Sequence, residues 1–147
     1  MVKDFESLSH TADIKIRVYG DTLEELFRHA LIGMFQTVGP QAPDCVVRDG
    51  RLVCMQLPQH HSVEVESLDY ESLLVDFLSH ALYLSDVHNE AYLDVVIEQL
   101  TPTFIKASLH GVKITGFEVV EIKAVTYHDL EIKQINGAWQ AIIVFDI

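Results

Sequence analysis

Basic residues are scarce in this chain: ten lysines and arginines stand against 22 aspartates and glutamates, a formal net charge of −12. Proteins that hold nucleic acid tightly neutralise phosphates with clustered Lys and Arg. No basic run occurs here, so direct high-affinity binding of RNA or DNA is not expected. An acidic surface suits a cation or a basic protein partner, or serves solubility alone. Cysteine is nearly absent too. Cys45 and Cys54 flank a predicted turn, where a disulfide is geometrically possible, but free thiols are expected in a reducing compartment. Two sulfurs without a histidine pair at finger spacing argue against a structural zinc site. No apolar run approaches the roughly 20 residues of a membrane span. The opening "MVKDFESLSH" lacks an apolar signal core, so a cytoplasmic protein without a membrane anchor is expected. Also missing are a glycine-rich phosphate loop, an HExxH motif and a nucleophile elbow.

What is present reads as one α+β domain over residues 1–147, with two helices packed on a largely antiparallel sheet. In "DTLEELFRHALIGMFQTVGP", Leu23, Leu26, Phe27, Ala30, Leu31, Met34, Phe35 and Val38 recur at helical spacing. Asp21 with Glu24 predicts a capping box, and Gly39-Pro40 a stop. In "LDYESLLVDFLSHALYL" the stripe is Leu73, Leu74, Phe77, Leu78, Ala81 and Leu82, capped by Asp69. The shared "HAL" of the two helices is expected from common amphipathic patterning, not duplication. "DIKIRVYG" and "SVEVES" alternate with period two. Asp49-Gly50 signals a hairpin, and beyond about Glu90 only strands are predicted.

Asn136-Gly137 is a second hairpin signal. A two-residue turn there pairs Ile135 with Ala138 and propagates outward. Leu130 then faces Ile143, His128 faces Phe145 and Thr126 faces Ile147, on an apolar side. On the other side Glu131 faces Ile142, Asp129 faces Val144 and Tyr127 faces Asp146. Lys123 falls on that second side, about 13 Å from Asp146 if four residues separate them. The closing "AIIVFDI" adds a further expectation: a sheet that holds the carboxylate of Ile147 beside Asp146 invites a cation.

"SHTADIKI", "TLEELFRHAL", "ESLLVDFLSHALYL", "EIKAVTYHDLEI" and the closing "FDI", in this order and over the whole chain, resemble the archease family. The resemblance implies a small α+β domain and a protein cofactor of RtcB-type tRNA-splicing ligases, which join 2′,3′-cyclic or 3′-phosphate ends to 5′-hydroxyls with GTP and manganese. Such a cofactor promotes guanylylation of the ligase and its multiple turnover without catalysing ligation. An older proposal made the family chaperones or modulators of RNA-modifying enzymes. The resemblance also implies a metal site on Asp13, Asp146 and the main-chain or terminal oxygens of Ile147, and a role for Lys123 in activation. The stretch "GVKITGFEVVE" departs from many relatives, lacking an acidic "GE" and a later histidine.

Two aspartates and a terminal carboxylate offer hard oxygens, which suit calcium above all, with magnesium or manganese as alternatives. Calcium takes six to eight oxygens, so water or a partner must complete the shell. His10 is a further candidate ligand or an orienting residue, with a capping or turn role as the alternative. Tyr127 is expected beside Asp146, His128 buried against Phe145, and His60 and His61 in a loop after Pro58 without function. Rival functions are a metal-dependent phosphohydrolase using Asp13 and Asp146, and a general chaperone. The protein is expected not to be an enzyme.

Overall fold

The computed structural model describes residues 3–8 and 13–147. In chain order the elements are β1 (Phe5–Leu8), β2 (Asp13–Gly20), α1 (Leu23–Thr37), β3 (Pro40–Gln41), β4 (Cys45–Arg48), β5 (Arg51–Cys54), β6 (Gln59–Glu66), α2 (Tyr70–His88), β7 (Glu90–Thr101), β8 (Phe104–Lys113), β9 (Gly116–Phe117), β10 (Ala124–Val125), β11 (Lys133–Ile135) and β12 (Ala138–Asp146). One sheet runs β1-β2-β12-β10, with β11 also paired to β12. A second runs β6-β8-β7. All these pairings are antiparallel, as the α+β expectation requires.

The helices lie between these sheets and share one hydrophobic core with them. α1 touches β1, β2 and β12 of the first sheet and β7 of the second, while α2 packs on β6, β7, β8 and β10. Contact with two sheets explains why α1 buries Leu26, Phe27, Ala30, Leu31, Gly33, Met34 and Phe35, more than a one-sided stripe needs. Gly33 permits the closest approach, since a Cβ there would stand 2.9 Å from the Phe5 ring. Asp69 caps α2 as expected, accepting from Ser72 N–H at 2.8 Å. The α1 cap falls one residue later than expected: Thr22 Oγ1 accepts from Glu25 N–H at 3.1 Å.

Both short turns form. Asp49 and Gly50 take φ of 52° and 77°, and Asn136 and Gly137 take 52° and 82°, the left-handed pair that a two-residue hairpin demands. Ile135 pairs with Ala138 and Lys133 with Gln140. There the expected register ends. Val125 pairs with Phe145 and Ala124 with Asp146, so residues 126–132 lie opposite only residues 141–144. The surplus is taken up in a turn, with Leu130 N–H on Tyr127 C=O and Asp129 at a φ of 55°. Two further expectations change. Cys45 and Cys54, directly opposed in the β4–β5 hairpin, form a disulfide with Cα atoms 4.4 Å apart, where free thiols were expected. His60 and His61 lie in β6, not in a loop. Among the described residues no helix is long and apolar enough to cross a membrane.

Candidate functional site

Asp13 opens β2 and Asp146 closes β12, and the two are Cα partners. Opposed residues of an antiparallel pair stand about 4.5–5.5 Å apart with side chains on one face. Their neighbours Ile14 and Phe145, also partners, are buried, so by alternation the two aspartates share the face turned from the core. On the other flank of Asp146 lies Ala124. Next to it, Lys123 donates its main-chain N–H to the Asp146 carbonyl at 2.8 Å. Three strands from distant parts of the chain therefore bring Asp13, Asp146 and Lys123 to one end of the first sheet, and Ile147 follows directly. His10 lies outside the described residues.

The geometry corrects several local expectations, and the three-residue surplus is the cause. Asp146 shares its face with Ala124 rather than Tyr127. Lys123 sits beside Asp146 through its backbone instead of about 13 Å away, on an irregular stretch where its side chain is exposed. Tyr127 turns to α2, its hydroxyl 3.4 Å from Asp76 Oδ1; burial and then the Asp76 charge raise its pKa. His128 is exposed and contacts Asp129 at 3.2 Å, so it is not packed on Phe145.

Two carboxylates opposed across a strand pair repel, and a hard cation between them removes that penalty. Among the described residues no three His, Cys, Asp or Glu side chains converge as a metal site. The aspartates fit a hard divalent ion only as part of a shell, with oxygens of Ile147 and non-protein ligands supplying the rest.

A second polar cluster escaped the sequence reading. Glu90 is only 2 % exposed. Its Oε1 accepts from the Tyr92 hydroxyl at 2.8 Å and contacts His61 Nε2 at 2.6 Å, while Lys113 Nζ stands 3.4 Å from Oε2. Burial pushes the carboxyl up, but Tyr92, His61 and Lys113 together hold it below its ordinary value. No local pattern announces this cluster, because His61 and Glu90 meet only when β6 and β7 flank β8.

The sequence matches the model of the archease protein family (MTH1598/TM1083) over residues 5–147. The chain belongs to the archease family. It is similar to protein archease of Methanosarcina mazei, 39 % identical over 153 residues that cover 99 % of this chain and 97 % of that one. Protein archease of Pyrococcus abyssi is 36 % identical, with 99 % and 100 % covered. The fold matches the solution structure of Methanobacterium thermoautotrophicum protein 1598 with a TM-score of 0.70 at 29 % identity, covering 99 % of this chain and 100 % of that one. It also matches the crystal structure of an archease, described as a possible chaperone, from Thermotoga maritima, with a TM-score of 0.63 at 22 % identity and 97 % and 96 % covered. The archease fold thus accounts for the two helices and antiparallel sheets seen here.

Proposed function

We propose that this archease-family protein is a non-catalytic cofactor of an RtcB-type tRNA-splicing ligase, promoting its GTP-dependent guanylylation and multiple turnover. One observation carries the reading: Asp13 and Asp146 are direct cross-strand partners, with Lys123 hydrogen-bonded to the main chain of Asp146. In this role Asp13, Asp146 and oxygens of Ile147 hold a divalent ion, calcium first, with magnesium or manganese as alternatives. When bound, the ion supplies positive charge for phosphate oxygens, and its unfilled positions accept ligands from a second molecule. Lys123 adds a mobile point charge beside it. The acidic surface favours docking on the basic, RNA-handling face of an enzyme. The role is cytoplasmic and needs neither a membrane nor direct nucleic-acid binding.

The test mixes the protein with its own ligase, GTP and manganese and follows joining over many turnovers. Stimulation by the unaltered protein, lost in Asp146→Asn and reduced in Lys123→Ala, is expected. Equal joining with and without the protein, with a folded ligase, overturns the reading.

A further inference from the structure

Residues 114–123, between β8 and β10, are anchored at both ends. Ile114 N–H bonds Asn89 C=O at 2.9 Å and Thr115 N–H bonds Gln41 C=O at 2.8 Å. Glu118 and Val119 donate to Gly39 and Val38 at 2.7 and 3.1 Å, and Lys123 reaches Asp146 at 2.8 Å. The middle is different. No hydrogen bond joins the main-chain N–H or C=O of residues 120–122 to another described residue. Beside this stretch lies a cleft of about 790 Å³, its apolar wall including Phe35, Leu82, Phe117 and Ile122. The charged residues lining it are Asp86, Glu121 and Lys123.

An unpaired backbone edge next to an apolar recess is the arrangement that receives an added strand. Main-chain hydrogen bonds give affinity, and the recess selects alternate side chains. Two of the three charges are acidic, in a chain whose net charge is −12. We propose that residues 120–122 and the cleft dock an extended segment of a partner polypeptide. It lies as a strand along this edge, places an apolar side chain in the cleft, and sets basic side chains against Asp86 and Glu121. The inference rests on the function proposed above only for the partner's identity. It assigns that partner an anchoring strand one residue from the Asp146 contact, so that docking and the aspartate pair share the backbone of Lys123.

The test is an amide chemical-shift titration of the whole protein with a blocked pentapeptide of alternating arginine and valine, with its glutamate–valine counterpart as control. Shifts centred on residues 119–124 and the cleft-facing side of α2 are expected, together with slowed hydrogen exchange at residues 120–122. The double variant Asp86→Lys with Glu121→Lys should weaken the basic peptide roughly fivefold, as losing two partly exposed ion pairs would, and leave the free protein's spectrum folded. No perturbation at millimolar peptide overturns the proposal. So do shifts spread evenly over the acidic surface, equal binding of the acidic peptide, or unchanged exchange at residues 120–122. No ligase is present in this measurement, so its failure is distinct from a failure of ligase stimulation.

Discussion

At the scale of single residues, the aspartate pair makes a demand with two opposite signs. Without metal, Asp13 and Asp146 face each other as like charges, which destabilises by about 0.2–1 kcal/mol. Asp146→Asn should therefore melt slightly higher than the unaltered protein in chelator. It should also lose the rise in Tm that calcium or manganese gives the unaltered protein, because stabilisation by a ligand follows its binding to the folded state. Paired melts with and without divalent ion check both signs. A variant that is less stable in chelator and still responds to metal contradicts the pairing argument. Glu90 offers a second residue-level test. Its folded-state pKa lies below the ordinary carboxylate value, so its contribution is present above that value and lost as the pH falls through the folded one. Asp4 acts in the same direction: burial raises its pKa, but the Arg51 pair holds it down. Urea unfolding at successively lower pH should show Glu90→Gln with a shallower acid limb. Tyr92→Phe, which strips a donor from a buried oxygen, should cost about 1–3 kcal/mol at neutral pH.

Elements are constrained by close backbone approach as much as by pattern. Gly111 lies in β8 where that strand meets both β6 and β7, and a Cβ added there would fall 2.1 Å from the Ala91 carbonyl oxygen. Main chain cannot give way as a side-chain tip does, and the register already shifts between Tyr92 and Asp94. Gly111→Ala should destabilise by about 1–3 kcal/mol or more, read as a lowered urea midpoint. Gly50→Ala is the informative contrast. Unlike Gly111 it takes a positive φ, but a Cβ there meets nothing within 4 Å, so any cost is conformational and not a clash.

For the whole molecule, charge is the dominant property. A net charge of −12 creates a long-range field that speeds encounter with a basic partner and is screened by salt. Association with the proposed ligase should slow steeply as ionic strength rises, with a smaller change in dissociation rate, measurable by stopped-flow mixing. An association rate independent of salt would show that the acidity serves solubility alone. At this scale the archease fold also explains why distant residues meet. β12 lies centrally between β2 and the β10 and β11 stretches, so the chain's last residues are flanked on both sides.

Local physics determined much of this protein from sequence alone. The helical stripes, the Asp69 cap and the turns at Asp49-Gly50 and Asn136-Gly137 depend on residues a few positions apart, and each was legible. Asp146 was singled out by the closing strand and Lys123 placed on its side by the hairpin register, but Asp13 and the roles of all three were named through likeness to a family. Tertiary structure alone decided that Asp13 stands opposite Asp146 and that Glu90 meets His61. It also decided where the C-terminal hairpin abandons its register. A turn sets pairing only while both strands lack better partners. β12 is held by β2 along almost its whole length, so the returning strand had to accommodate that pairing, and its three surplus residues looped out.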